Sequence, residues 1–247
     1  MPKYILSGID GNVGSILKKD IDDRDVYRID TKSSDADIFL HLASKSSGSY
    51  DVIVKSNITY LMKCIEFCKK NHIKQFIFFS AISIYTNDDL YSLSKLLGEK
   101  ILKESELDVL IIRLPMILTN DCHNGILNRI MMKLENNEDT ILYNGHKKFN
   151  NFIAVDDILH FISNYKFHKK YEIVDLSLKS EYTLFEIVKF LKKEIHSKSN
   201  IILSEEKHPF LTISISKAIK EYHYKPESTK KRLNSWLKIR GQNEIIN

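Results

Sequence analysis

The sequence predicts an α/β protein with a Rossmann-type, doubly wound parallel sheet and a small C-terminal lobe. Two observations carry this prediction. In the first half, short apolar runs alternate with segments of helical periodicity, and parallel strands need such helical crossovers. After residue 118 the alternation is lost, and helices with polar connections follow. We therefore expect one domain over residues 1–118 and a lobe over 119–247, with a late strand within 149–176 that returns to the sheet.

The predicted elements follow the apolar pattern in chain order. A strand at 4–7 ends at a glycine-rich turn, which opens a helix through residue 19. The run 74–80 is almost continuously apolar, as expected for a strand buried on both faces. The other strands are predicted at 26–29, 37–43, 108–113 and 171–176, and the other helices at 50–71, 91–104, 126–135, 158–165, 184–195 and 229–239. The tail 241–247 is expected to fray.

Charge and composition exclude several classes of protein. The 247 residues carry 37 basic and 32 acidic side chains, a net charge of +5 with the histidines neutral. A nucleic-acid binder would show a stronger, clustered excess, whereas a mildly basic surface suits a small anionic substrate. No apolar run approaches the ~18 residues of a membrane span, and no secretory leader follows Met1. We expect a cytoplasmic protein with no nucleic-acid or membrane partner.

The cysteines do not form a disulfide framework. Their number is odd, at Cys64, Cys68 and Cys122, which fits reduced thiols in the cytoplasm. Cys64, Cys68 and His72 share one helical face, so a metal site is conceivable. Core packing is the more frequent reason for such a face, and we expect no metal.

Three glycines at the first turn each have a physical role. Gly8 lets the chain turn sharply, Gly11 lets the backbone approach a pyrophosphate, and Gly14 allows close packing of helix on strand. The helix N-terminus then offers free N–H groups and a positive dipole end to phosphates. A simple turn is the alternative. The position between a strand and a helix favours a dinucleotide site, with Asn12 and Val13 beside the glycines.

Asp30 ends the second predicted strand, where a carboxylate can accept hydrogen bonds from the adenosine ribose. It would also repel a 2′-phosphate, which favours NAD over NADP. The preference is slight, because the polar residues 31–34 could hold that phosphate instead. Asp30 could also simply be a loop carboxylate at the end of a strand.

Tyr91 and Lys95 lie four residues apart, so both project from one face of a predicted helix. A phenol titrates near pH 10, and acid/base work near pH 7 needs a shift of about three units, roughly 4 kcal/mol. Lys95 and an oxidised nicotinamide, both cationic, can stabilise the phenolate together. Taken alone, such a pair is more often a structural feature of a surface helix.

Several motifs, in this order and spacing, resemble the NAD-dependent epimerase/dehydratase family of extended short-chain dehydrogenases/reductases. They cover nearly the whole chain and are more specific together than any one of them. The motifs are Gly8-x-x-Gly11-x-x-Gly14, His41-Leu42-Ala43-Ser44, Phe76 to Ser80 leading to Tyr85, Tyr91-Ser92-Leu93-Ser94-Lys95, Arg113-Leu114-Pro115, Phe152 to Asp157, and Ser216-Lys217-Ala218 before Tyr224.

The resemblance implies a dinucleotide-binding domain for NAD or NADP and a small C-terminal substrate-binding lobe for a nucleotide-diphosphate sugar. It implies that Tyr91 is the catalytic acid/base and Lys95 its cofactor-bound partner. It further places a strand-end wall, Leu42, Ala43 and Ser44 after His41, and Pro115 beside the cofactor. In this family the helices predicted at 50–71 and 91–104 commonly form a four-helix homodimer interface.

The chain departs from the family at the catalytic hydroxyl. Where the family usually places a Ser or Thr that hydrogen-bonds the substrate, this chain has Ala81, which cannot do so. Ser83 or Ser80 could bind the substrate instead if the loop is shifted, although Ser80 would normally face the wrong way. Ile82 and Ser83 also stand where sugar 4,6-dehydratases have an Asp-Glu pair, which disfavours a dehydratase.

Two substrate positions differ as well. Met116 stands where many relatives have Asn, and Asn150 stands where a diphosphate-binding Arg is frequent. Lys147 and Lys148 could supply the missing charge or could form a solvated turn. Only six residues separate Asp30 from Asp37, so one βα crossover is expected to be absent and part of the adenine pocket to be built differently.

Two hypotheses remain open. The leading one is an enzyme that reduces a 4-keto sugar nucleotide or epimerises C4. The other is a nucleotide-binding regulator or scaffold that keeps the fold and has lost catalysis; the changes at Ala81, Met116 and Asn150 favour it, and the intact Tyr91 and Lys95 oppose it.

Overall fold

A computed structural model describes residues 2–20, 26–28, 36–119, 125–206 and 208–243, and the structural statements below concern these residues. Its main element is a six-stranded sheet, in the order β2-β1-β3-β4-β5-β9, with every strand pair parallel. The strands are β1 (Tyr4–Ser7), β2 (Val26–Arg28), β3 (Ile38–His41), β4 (Gln75–Ala81), β5 (Asp108–Leu114) and β9 (Tyr171–Asp175). The predicted Rossmann-type sheet is confirmed, including the late strand.

Helices cover both faces of this sheet. They are α1 (Asn12–Asp20), α2 (Tyr50–Val54), α3 (Tyr60–Lys70), α4 (Leu90–Lys103) and α6 (Val155–Asn164). Alternate strand residues serve the two faces: Leu6 packs in the core that includes Leu17 of α1, and Ile5 packs with Leu61 of α3. Both cores are almost wholly apolar, because a parallel sheet with helices on both sides buries both of its faces.

The helix predicted over 50–71 contains one irregular turn. A π-helical segment, Lys55–Thr59, joins α2 to α3, and such segments often lie at functional sites. Here it directs Lys55 and Ser56 toward the large cavity described below, while Asn57 is buried against α4.

The lobe has its own apolar core, which includes Leu127, Phe152, Leu191 and Trp236. Its helices are α5 (Ile126–Glu135), α7 (Leu184–Glu194), α8 (Ser216–Tyr222) and α9 (Thr229–Asn243). Two parallel strand pairs complete it, β6 (Met116–Leu118) with β8 (Phe152–Ala154), and β7 (Thr140–Tyr143) with β10 (Ile201–Ser204).

Several expectations for this half were wrong. These four short strands and α8 were not predicted, and α6 begins three residues earlier than expected. α9 continues through Asn243, and the rest of the tail that was expected to fray, residues 244–247, lies outside the described residues. Strands of three or four residues carry too little periodicity to be recognised, and their pairing partners are distant in sequence. The division into domains at residue 118 stays a prediction.

β2 and β3 pair with opposite sides of β1. The expected loss of a crossover concerns the residues between these two strands, of which 29–35 lie outside the described residues. None of the described helices is both long and apolar enough to cross a bilayer.

Candidate active site

A large cavity opens at the carboxyl ends of the sheet strands, where open α/β sheets bind their ligands. Its volume is about 1450 Å³. One wall is formed by the residues that follow β1, β3, β4 and β5, and the other wall comes from the lobe. One cavity therefore joins the predicted cofactor turn to the predicted substrate lobe.

The glycine turn lies at one end of this cavity. Gly8 has φ +77°, and a Cβ there would be 2.7 Å from the Ala43 nitrogen. A Cβ at Gly14 would be 2.2 Å from the Gly8 carbonyl oxygen. At Gly11 the only close atom is that same oxygen, at 3.2 Å. Gly8 and Gly14 are thus required by the turn itself, whereas Gly11 leaves space on the cavity side.

This turn fits a dinucleotide. Asn12 and Val13 also line the cavity, at the N-terminus of α1, whose free N–H groups and dipole favour a phosphate. A Cβ on Gly11 would extend into the space that a pyrophosphate needs. Asp30, predicted to bind the ribose, lies outside the described residues.

Tyr91, at the start of α4, lines the same cavity. Burial raises the pKa of its phenol to about 12; a hydrogen bond with Ser44 opposes this shift, and the charge of Asp89 adds to it. Ser44 is the last residue of the wall that follows β3, and Leu42 and Ala43 line the cavity with it. The phenol is therefore fully protonated near pH 7 in the free protein.

Lys95 does not reach the cavity surface. It is only 4% exposed, and its Nζ donates to the Phe79 carbonyl at 2.8 Å. The same nitrogen lies 4.9 Å from the ring centroid of Phe78 and 5.8 Å from that of Tyr91. Burial lowers its pKa to about 7, and the charge of Glu99 opposes the shift only in part. The pair Tyr91 and Lys95 is thus adjacent, with the lysine behind the tyrosine.

Two buried residues hold this region, Asn57, which sequence reasoning did not single out, and His41, the first residue of the predicted strand-end wall. Asn57 is 3% exposed. Its side-chain oxygen accepts a hydrogen bond from the Lys45 backbone N–H at 2.8 Å. Its side-chain nitrogen donates to the Lys45 carbonyl oxygen at 3.0 Å and to the Ser94 hydroxyl at 2.9 Å. It therefore ties the wall after β3 to α4. His41 is buried behind that wall, 2.7 Å from the Ser7 hydroxyl, and burial lowers its pKa to about 3, which keeps it neutral.

Ala81 and Ser83 line the cavity, and Ser80 does not. Ser80 is 4% exposed and donates to Glu99 at 2.5 Å. Consecutive strand residues face opposite sides, so the side chain next to Ala81 points away from the cavity. The assignment of Ser80 to substrate binding is corrected on this geometry, and Ser83 is the hydroxyl that remains.

The substrate positions in the lobe are only partly as expected. Met116 and Pro115 line the cavity, and Met116 packs against Gly125 at the start of α5. Asn150 is 1% exposed and is consumed by internal bonds to Leu178 and Ile213. We therefore correct its assignment to substrate binding.

The two lysines before Asn150 do not line the cavity either. Lys147 lies over the Phe210 ring, 5.1 Å from its centroid, and Lys148 donates to the Glu181 carbonyl. The placement of Lys147 corrects its assignment as a substrate-binding cation.

Other residues supply charge and aromatic surface to the cavity. Arg129 of α5 lines the lobe wall, and Lys45 and Lys55 line the opposite wall. At the lobe end the rings of Tyr143 and His208 are 4.0 Å apart. An arginine on an amphipathic helix gives no distinct sequence signal, and Tyr143 and His208 are too far apart in sequence to be associated.

The cysteines of α3 lie in the core. Cys64 and Cys68 are fully buried in the core beneath α3, and burial raises the pKa of Cys64 to about 12 and that of Cys68 further. The described residues contain no group of three or more His, Cys, Asp or Glu side chains arranged to hold a metal ion. Cys122 lies outside the described residues.

Sequence comparison finds no match, either to a family model or to a curated protein. Solved structures do match. MoeE5 in complex with UDP-glucose and NAD is 12% identical, with a TM-score of 0.78 over 98% of this chain and 99% of that one. UDP-glucuronic acid 4-epimerase from Bacillus cereus in complex with NAD is 17% identical, with a TM-score of 0.73 over 92% and 94%. RMD from Pseudomonas aeruginosa complexed with NADPH is 14% identical, with a TM-score of 0.75 over 96% and 99%.

The chain therefore has the Rossmann-type α/β fold of these proteins along almost its entire length. The resemblance to extended short-chain dehydrogenases/reductases of the NAD-dependent epimerase/dehydratase kind, read from the motifs, is confirmed at the level of the fold.

Proposed function

We propose that this chain is an NAD(P)-dependent enzyme that acts on a nucleotide-diphosphate sugar, either reducing a 4-keto sugar or epimerising C4. The observation that carries the proposal is the single cavity that contains the glycine turn, Tyr91 and the lobe wall with Arg129. Its volume of about 1450 Å³ exceeds the range typical for one drug-sized ligand. A cofactor and a sugar nucleotide together suit this space.

Gly8, Gly11 and Gly14, with Asn12 and Val13, hold the pyrophosphate of the cofactor in this proposal, and Asp30 holds its adenosine ribose. Asp30 favours NAD, with NADP as the alternative. The bound nicotinamide supplies the hydride acceptor or donor. Neighbours with the same fold were solved with NAD, NADPH and UDP-sugars.

Tyr91 moves the proton at the reacting sugar hydroxyl. From a pKa of about 12, ionisation at pH 7 requires about 7 kcal/mol of phenolate stabilisation. A protonated Lys95 behind the phenol contributes, since opposite charges a few ångströms apart in a buried site interact strongly. The side chain of Ser44 also lowers the pKa of the phenol.

Arg129 is the proposed partner of the sugar diphosphate. An arginine can bind two phosphate oxygens at once, which suits this ligand. The Tyr143 and His208 rings at the lobe end offer an apolar face to the nucleotide base. Because NAD and nucleotide sugars are cytoplasmic metabolites, and Cys64 and Cys68 are free thiols, a cytoplasmic location follows from the proposed function.

Replacement of Tyr91 by Phe tests this proposal. Turnover of UDP-sugars, followed by cofactor absorbance and product chromatography, should fall by 10²–10⁴-fold, because only proton transfer is removed. NAD affinity should stay nearly unchanged. Tyr171→Phe is a matched control, since its hydroxyl bonds the Glu99 carbonyl oxygen away from the cavity. A Tyr91→Phe protein with most of its activity would refute this role, and a wild type that binds NAD without any turnover would favour the binding-protein hypothesis.

We also propose a homodimer through α3 and α4. Met62, Leu93 and Leu97 on these helices are 49%, 50% and 49% exposed, and large apolar side chains clustered on neighbouring helices often mark an interface. Leu97→Glu should convert a dimer to a monomer in light scattering after gel filtration. Ile239→Glu, an equally exposed apolar position on α9, should not.

A further inference from the structure

Within the described residues, the walls of the cavity carry positive charge only. Lys45, Lys55 and Arg129 line the cavity, and no Asp or Glu does. Lys45 forms hydrogen bonds through its backbone groups, and neither lysine ammonium has a partner in this part of the chain. Cations that face a cavity without counter-charges raise the local concentration of anions, so they favour an anionic ligand.

The proposed function leaves the two lysines without a ligand group. In that proposal the pyrophosphate of the cofactor lies at the glycine turn, and the sugar diphosphate has Arg129 on the lobe wall. Lys45 and Lys55 belong to the opposite wall, the first after β3 and the second at the start of the π-helical segment. A further anionic group on the substrate would account for both of them.

Lys45 is held close to the proposed acid/base. The Asn57 side chain bonds both backbone groups of Lys45, at 2.8 and 3.0 Å, and its amide also donates to the Ser94 hydroxyl at 2.9 Å. Ser94 in turn donates to the Tyr91 carbonyl oxygen at 2.7 Å. Asn57 and Ser94 are both buried. Lys45 is therefore tied through buried side chains to the helical turn that carries Tyr91.

The π-helical segment presents the second lysine on the same wall. Lys55 is the first residue of this segment, and Asn57 is buried two residues later. Lys55 and Ser56 line the cavity, so the same irregular turn presents one lysine and anchors the backbone of the other. A hydroxyl and two ammonium groups can all donate to a carboxylate, and hydrogen bonds to a charged acceptor are stronger than neutral ones.

We propose that Lys45 and Lys55 bind a carboxylate at C6 of the sugar, so that the substrate is a nucleotide-linked uronic acid. The inference rests on the proposed function and deepens it, because it assigns the class of sugar. C6 is bonded to C5, the neighbour of the reacting carbon C4, and it therefore approaches Tyr91 together with C4. The diphosphate is attached to C1, on the far side of the sugar ring. The C6 carboxylate is thus the anionic group that the wall tied to Tyr91 can reach.

The test measures binding without turnover. NADH-saturated protein cannot take a hydride from the sugar, so calorimetry gives dissociation constants for UDP, UDP-glucose and UDP-glucuronate. The two sugar nucleotides differ only at C6, where a carboxylate replaces a hydroxymethyl group. Wild type should bind UDP-glucuronate about tenfold more tightly than UDP-glucose, as expected for hydrogen bonds to a charged acceptor. This preference should shrink at high salt, because salt screens exposed charges.

Substitution of the lysines tests their role, and both are exposed, so the fold does not depend on them. Lys45→Met and Lys55→Met should each reduce the preference for UDP-glucuronate to about threefold, and the double variant to less than about twofold. The affinities for UDP and NADH should stay unchanged. Lys45→Arg combined with Lys55→Arg should keep the preference, because both charges are kept. The control is Lys63→Met, an exposed lysine of α3 that does not line the cavity, and it should bind every ligand as wild type does.

Two results would overturn the inference alone. One is binding of UDP-glucuronate by wild type that is equal to or weaker than that of UDP-glucose. The other is a preference for UDP-glucuronate that survives in the double methionine variant; a fall in UDP or NADH affinity there would assign the lysines to the sugar diphosphate or to the cofactor instead. Failure of all three uridine nucleotides to bind is a different result, which overturns the proposed function and this inference with it.

Discussion

Replacing Lys95 with Met should stabilise the protein at low pH and destabilise it at high pH. The lysine is 4% exposed, and its ordinary pKa of 10.5 falls to about 7 in the folded protein because burial penalises the charge. Lowering this pKa from 10.5 to about 7 means that the charged lysine costs the folded state about 5 kcal/mol. Methionine is of similar length and uncharged, so it removes this penalty. It also leaves the Phe79 carbonyl without its donor, at about 1–3 kcal/mol independent of pH.

The sign follows from proton binding. Below pH 7 both the folded and the unfolded wild type hold the proton, and the folded state carries the full penalty. Between pH 7 and pH 10.5 the unfolded state binds one proton more. The free energy of unfolding of wild type should therefore rise relative to the variant by about 1.4 kcal/mol per pH unit in this window. At pH 6 Lys95→Met should be about 2–4 kcal/mol more stable, and near pH 10 less stable than wild type.

Urea unfolding followed by circular dichroism at pH 6, 7.5, 9 and 10 measures the difference in the free energy of unfolding between wild type and Lys95→Met. The titration of all other groups is common to both proteins and cancels in this difference. Lys100→Met, an exposed lysine on the same helix, should show no such trend. The reasoning would be refuted if the free energies of unfolding of wild type and Lys95→Met differed by the same amount from pH 7 to pH 10. It would mean that Glu99 or water keeps the ammonium charged.

Three further predictions follow from the same geometry. Gly11→Val should abolish NAD binding in calorimetry while the protein stays folded, and unchanged NAD affinity in the folded variant contradicts the cofactor assignment. Gly14→Ala should instead lower the free energy of unfolding by about 1–3 kcal/mol, because its Cβ would lie 2.2 Å from the Gly8 carbonyl oxygen. NAD should bind more tightly than NADP, and a preference for NADP above tenfold overturns the role of Asp30. Glu99→Ala should cost about 3–5 kcal/mol in urea unfolding, because it removes the carboxylate that binds Arg113 at 2.6 and 2.9 Å; a loss below 1 kcal/mol argues against a buried pair.

The sheet and the first half of the cavity could be predicted because their signals are local. Strand and helix periods are read within a dozen residues, and carboxyl ends of parallel strands meet at one edge. The family resemblance added Ala43 and Pro115 to Gly8 and Tyr91 as residues beside the cofactor, and all four line the cavity. Their proposed roles remain to be tested.

The lobe wall could not be predicted because its contacts are distant in sequence. Asn150 accepts a hydrogen bond from the Ile213 backbone, 63 residues away, and nothing near Asn150 signals that partner. Tyr143 meets His208 across a similar distance. At β4, by contrast, the alternation of a β-strand already separates Ser80 from Ala81, and the sequence predicted that Ser80 would normally face the wrong way.

The departures at Ala81, Met116 and Asn150 do not leave the cavity without polar groups. Asn150 forms internal bonds that hold the lobe together, while Arg129 offers a cation from α5 on the cavity wall. Met116 packs against the start of that same helix. Ala81 offers no hydroxyl, and Ser83 faces the same cavity two residues later. Burial of Lys95 behind Tyr91 opposes the charge of the lysine, and the proposed stabilisation of the phenolate gives a reason for a lysine at that position.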